Sequence, residues 1–220
     1  MNPLSEFESR LSAELAETWR GLNSPIQIQA FLDSIPYVGE ERDRCPLDVL
    51  RDRQCHCLDG GLLAALALRR LGEPGLILDL VPAADENGQK LDDDHVLALF
   101  RRNGCWGAIA KSNFVWLRFR EPVYRSLREL AMSYFEVYYS VDKLKALRGY
   151  TRPLDISRFD QTHYAWDESA ARKLYTAFYR RKPIPLISAQ SAAELHLVDQ
   201  RAYDSGAAGT NWDWVYKPKA

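Results

Sequence analysis

The sequence predicts an α+β fold in which helices come first, an antiparallel meander follows and helices return. Three observations carry this expectation. Apolar residues recur at helical spacing near the N-terminus, a long apolar run from Cys57 to Leu71 has helix-stop residues behind it, and short apolar runs alternate with turn residues between Leu76 and Ala110.

Ser5-Glu6-Phe7-Glu8 reads as a capping box, and Phe7, Leu11, Leu15 and Trp19 follow at four-residue spacing, which predicts one amphipathic helix ending at Gly21. Ser24-Pro25 starts a second helix through about Ser34, and Pro46 opens a short one through about Arg51. The run CLDGGLLAALALRRL from Cys57 is apolar on nearly every side, carries Arg69 and Arg70 in its last turn and meets Gly72 and Pro74 just beyond, so it reads as a buried helix. Gly60 and Gly61 lower its helix propensity by about 1 kcal/mol each relative to alanine, which points to something approaching closely, a neighbouring strand or a substrate.

Leu76–Val81 and His95–Phe100 read as strands, and Asn103-Gly104 turns into a third, Cys105–Ala110; Val115–Phe119 reads as a fourth. A helix is expected from Pro122 to about Tyr139 and another from Glu168 to about Arg181, stopped by Lys182-Pro183. The tail from Ser188 lacks periodicity and is expected either to clamp the core or to hang loose. With no repeat or linker, the reading is one domain over 1–220, its core at about 20–140 and a helical C-terminal extension over 150–220.

The chain has 220 residues, 46% hydrophobic and 27% charged, an ordinary globular composition that excludes full disorder. Lys+Arg 29 against Asp+Glu 30 leaves a net charge of -1, so no global positive field draws nucleic acid or anionic lipid. Arg118, Arg120, Arg125 and Arg128 read as the solvated face of a helix. The longest apolar stretch, near Leu62–Leu68, is far short of the roughly 20 residues of a membrane span, and MNPLSEFESR lacks a signal-peptide apolar region. The expected setting is the cytoplasm, with no membrane and no nucleic-acid partner. Oligomeric state leaves no trace in the sequence.

The cysteines at 45, 55, 57 and 105 are too few for a disulfide scaffold, which turns attention to thiol chemistry. Cys57 opens the buried helix, where the dipole and free N–H groups favour thiolate and can hold an oxyanion. His95, at the start of a strand, supplies a base. Gln54, just before the cysteine pair, offers a further oxyanion donor or is a plain loop residue. Asp92-Asp93-Asp94 either raises the His95 pKa, recognises a basic substrate, or is a solvated loop. Cys45 and Cys105 read as structural, and His56, His163 and His196 as ordinary histidines. Zinc on Cys55, His56, Cys57, His95 and Cys105 is a minor reading, because the C-x-C spacing misses the usual knuckle.

These residues resemble the transglutaminase-like superfamily, whose members are papain-like in arrangement. Cys57, Asp59, Arg69, Leu71, Gly72 and Pro74 stand in the family's order and spacing, and His95-Val-Leu-Ala-Leu-Phe, then Asn103-Gly104 and Trp106, is similar to its His-strand hairpin. The likeness covers about residues 50–115. It implies a papain-like domain with the Cys57 helix on an antiparallel sheet, and thiol-dependent acyl transfer to, or hydrolysis of, a peptide, protein or small amide through a Cys57 thioester. No cofactor or metal is required for that chemistry. Counting back from Arg69, Gly72 and Pro74, the resemblance selects Cys57 over Cys55.

One departure stands out. Members of the family place an acid four positions after the hairpin tryptophan to orient the histidine; here that position is Ala110. A two-residue turn at Asn103-Gly104 puts His95 opposite Ser112 with Ala110 beside it, whereas a three-residue loop shifts the partner to Lys111 and brings Asn113 onto that face. Ser112 and Asn113 are thus the candidate orienting residues. The alternative reading is a catalytically inactive module of the same type that binds a peptide or protein partner.

Overall fold

The computed structural model describes residues 3–218. Its centre is a sheet of β1 (Leu76–Pro82), β2 (His95–Arg102), β3 (Cys105–Ile109), β4 (Arg120–Tyr124), β5 (Leu147–Thr151), β6 (Leu154–Asp155) and β7 (Pro183–Pro185). The strands run in the order β4-β3-β2-β1-β5-β7, with β6 also beside β1, and every pairing is antiparallel. The fold class is therefore α+β. The helices are α1 (Pro3–Ser9), α2 (Ala13–Gly21), α3 (Pro25–Ser34), α4 (Pro46–Asp52), α5 (Cys57–Arg70), α6 (Leu127–Met132), α7 (Glu168–Tyr179), α8 (Ala189–Ala193) and α9 (Gln200–Gly206).

Side-chain alternation along the strands divides the core in two. Ile77, Val96, Ala98, Phe100 and Ile109 join α1 to α5 and α7 on one face. Leu78, Leu80, Leu97, Leu99, Ala108 and Ala110 face Leu130, Tyr134 and Tyr138 on the other. A sheet covered on both faces needs strands that are apolar on successive residues, as β2 is over 96–100 and β1 is apart from the buried Asp79.

The two glycines of α5 have a packing role. A Cβ on Gly61 would stand 2.7 Å from Val96 Cγ1, and one on Gly60 would stand 2.6 Å from Lys111 Cβ, so α5 lies against β2 and the chain leaving β3. At its far end Gly72 adopts φ +85°, with Gly72 N–H donating to Arg69 O and Glu73 N–H to Leu68 O, the pair of hydrogen bonds of a glycine-terminated helix. Arg69 forms a paired bond to Asp160 at 2.6 and 2.8 Å, tying that end to residues 156–162.

Four expectations need correction. The first helix is two helices, because Ser12 caps a new one by accepting Leu15 N–H at 3.3 Å; Phe7 and Trp19 still meet, edge to face, at 5.0 Å. Val115–Phe119 is a loop, and the edge strand begins at Arg120, running through Pro122, which an edge tolerates. The helix expected over 122–139 shrinks to α6 and a 3-10 turn at Phe135–Val137, its start set by Ser126 accepting Glu129 N–H. Residues 150–220 are more than a helical extension, since β5, β6 and β7 complete the sheet on the free side of β1. Among the described residues, no helix is long and apolar enough to cross a membrane. The ends of the expected domain, at 1 and 220, lie outside the described residues.

Candidate active site

The turn Asn103-Gly104 has φ 52° and 80°, the left-handed pair of a two-residue hairpin, and the ladder runs from Arg102↔Cys105 to Ala98↔Ile109. Extended further, this register would set Ser112 opposite His95. The chain departs first. Gln29, buried on α3, takes both backbone groups of Ala110: its Nε2 donates to Ala110 O at 3.0 Å and Ala110 N–H donates to its Oε1 at 3.1 Å. Lys111 then turns inward, its ammonium bonded to Leu32 O at 2.7 Å and to Ile35 O at the C-terminal end of α3, where the helix dipole favours a cation.

Ser112 and Asn113 line one cleft with His95, but their hydrogen bonds go to other partners. Ser112 Oγ accepts Phe114 N–H at 2.9 Å. Asn113 holds the C-terminal tail with both amide atoms, donating to Asn211 O at 2.8 Å and accepting Asn211 N–H at 2.9 Å. His95 Nε2 instead lies 2.6 Å from Leu117 O in the loop before β4. A carbonyl only accepts, so Nε2 carries the proton and Nδ1 is the bare nitrogen. The ring shares the parity of Leu97 and sits edge-on to Tyr134 and Tyr138, at 6.3 and 6.4 Å. Burial, reinforced by Arg120, pulls its pKa down to about 4 despite the Leu117 bond, so it is neutral at pH 7.

Cys57 belongs to the opposite core, with α5. Its thiol donates to Asp94 O at 3.5 Å. Among the described residues no hydrogen bond joins it to His95. The helix N-terminus was expected to favour thiolate; burial first, then the negative charges of Asp93, Asp94 and Asp79, outweigh it and push the thiol well above its ordinary pKa, with only a Val96 backbone bond opposing. Burial likewise pushes Cys45 and Cys55 up to about 12, in keeping with structural cysteines. Gln54 is half-buried between Arg53 and Cys55 and does not line the cleft described next.

That cleft, of about 40 Å³, is bounded by Asp92, Asp93 and Asp94, by the edge of His95, and by aromatic rings including Tyr37. Cys57 is not part of its wall. The tail roofs it: Trp214 and Tyr216 line the cleft, and Tyr216 Oη donates to Lys90 O at 3.1 Å, so the tail is a clamp. Asp94 is 8% exposed; Lys90 pairs with its Oδ2, and its Oδ1 is buried without a hydrogen-bond partner. Burial, with neighbouring carboxylates adding, raises Asp92 to about 8 and lifts Asp93; burial also lifts Asp94, with Lys90 opposing. Asp79, across the strand pair, is raised to about 8 by burial and by Asp94.

The five-residue zinc set does not assemble. Cys105 stands at the turn end of the β2–β3 hairpin and His95 at the other, seven residues or about 24 Å apart along a strand. Sequence reading also missed Gln29, the inward turn of Lys111 and the Leu117 carbonyl, none of which carries a residue-type signature of a site. No protein-family model matches this chain, and no curated protein matches it.

Proposed function

We propose that this chain is a papain-like, transglutaminase-like module that binds a peptide or protein through a basic side chain and does not cleave it. What supports the scaffold is the order of its parts: a cysteine-headed helix on an antiparallel sheet, then a histidine-headed strand in a two-residue hairpin. The observation that carries the binding reading is Asp94. A buried carboxylate oxygen without a hydrogen-bond partner, in a cleft walled by two more carboxylates, is stabilised by a cation. The aromatic rings suit the same guest, since ammonium and guanidinium groups are attracted to ring faces. The cleft is small, about 40 Å³, which suits the head group of a side chain presented from outside.

The experiment is a titration of the protein with tetralysine, read by tryptophan fluorescence, with tetraglutamate as control. Saturable binding of tetralysine alone, weakened tenfold or more by Asp94→Asn, is the expected result. Equal response to both peptides, or none to either, overturns the reading.

A second reading, acyl transfer or amide hydrolysis through Cys57 and His95, has one observation in its favour. The sulfur opens α5 and takes a backbone hydrogen bond from Val96, an arrangement that could also receive an oxyanion. It requires sulfur and ring to come together from opposite core faces. Turnover of a p-nitrophenyl ester that is lost in Cys57→Ala is the outcome that would select it.

A further inference from the structure

Three ligand-type atoms converge where the loop before α4 meets the first turn of α5. They are Asp43 Oδ1, His56 Nε2 and Asp59 Oδ2, all within 4.8 Å of one another. His56 is the N-cap of α5 and Asp59 its third residue, so one helix start carries two of them. The Asp59 carboxylate is oriented from behind: Arg44 N–H donates to its Oδ1 at 2.9 Å. Its Oδ2 is fully buried and, among the described residues, has no hydrogen-bond partner.

His56 Nε2 stands 3.4 Å from Asp59 Oδ2 and 3.6 Å from Asp43 Oδ1. One N–H cannot point at two carboxylates, and both separations are long for a strong hydrogen bond. The two separations from His56 do match edges of a coordination polyhedron, and the Asp43–Asp59 pair lies within 4.8 Å. Bonds of about 2.0–2.1 Å from nitrogen and oxygen to a tetrahedral zinc ion place neighbouring ligand atoms roughly 3.4 Å apart. The Arg44 N–H bond to the other Asp59 oxygen is the kind of outer contact that fixes a ligating carboxylate.

We propose that Asp43, His56 and Asp59 form a binding site for a first-row divalent metal ion, one imidazole and two carboxylates, with zinc the fitting probe. The site shares only His56 with the cysteine-rich set considered from sequence. Asp43 is the most exposed of the three, its side chain 29% accessible, so the coordination position that the protein leaves open faces outward. Bound metal would latch the loop before α4 onto the start of α5. The site is separate from the acidic cleft and stands or falls independently of it.

The test uses the full chain, stripped with EDTA and titrated with zinc chloride by calorimetry, with metal content measured after gel filtration. One zinc per chain is expected, with affinity reduced tenfold or more in Asp43→Asn and in His56→Gln. Asp43→Asn alters a partly exposed loop residue and keeps the test valid if His56→Gln fails to fold. Cobalt should give the intense visible bands of a four-coordinate ion in wild type and lose them in Asp43→Asn. Absence of stoichiometric zinc, or zinc retained undiminished in Asp43→Asn, overturns the assignment.

Discussion

His95 Nε2 donates to the backbone oxygen of Leu117 at 2.6 Å, so the partner behind the imidazole is a main-chain atom and not one of the side chains expected from the sequence. That single bond fixes the tautomer, while burial, which outweighs it, keeps the ring neutral. The consequences for stability follow from the sign of the shift.

The folded pKa of His95, about 4, lies below the value near 6.5 of an unfolded histidine. Between those values the unfolded chain binds the extra proton, so stability falls as pH drops from about 6.5 to 4, by up to about 3 kcal/mol from this group. In His95→Gln, which keeps a donor for Leu117, that loss is absent. Urea unfolding of both proteins at pH 4.5 and 7 should show a wild type that weakens more on acidification. Equal changes contradict a buried neutral ring.

Gly61→Ala tests the seating of α5. Alanine gains about 1 kcal/mol of helix propensity, yet its Cβ would stand 2.7 Å from Val96 Cγ1, and overpacking of this kind costs about 1–3 kcal/mol. A net loss of stability is expected, recovered in part by Val96→Ala in the double variant. A stabilised Gly61→Ala would show that β2 does not press on the helix.

Much of this scaffold was legible because its signals are local. The helix from Cys57, its Gly72 stop and the Asn103-Gly104 turn each follow from residues within a few positions of one another. The hairpin register had two readings, and the left-handed pair at Asn103-Gly104 selects the two-residue turn. What was illegible is set at long range. Gln29 seizes the Ala110 peptide across 81 positions, Lys111 leaves the sheet to end α3, and Leu117 offers a carbonyl that every residue possesses. The single first helix failed for a subtler reason: Phe7 and Trp19 do pack together, but across a break that Ser12 caps. Asp43 escaped notice because it stands 13 positions before His56, with a whole short helix between them.

Cation binding in the acidic cleft is linked to protons. Asp92 titrates near 8 because burial and its acidic neighbours disfavour its charge, and a cation binds the carboxylate form. Tetralysine affinity should therefore rise from pH 6 to pH 8, with protons released on binding. Calorimetry in two buffers of different ionisation enthalpy measures the release. Affinity that falls over this range contradicts the assignment of the acidic wall.

The central claim is that Cys57 and His95 serve separate cores and do not form a reactive pair. The rate at which iodoacetamide alkylates each cysteine at pH 7, followed by peptide mass spectrometry in wild type and His95→Gln, tests it most directly. Cys57 should label more slowly than the half-exposed Cys105, at a rate that His95→Gln leaves unchanged. Labelling of Cys57 ahead of all other cysteines, slowed tenfold or more by His95→Gln, would contradict it.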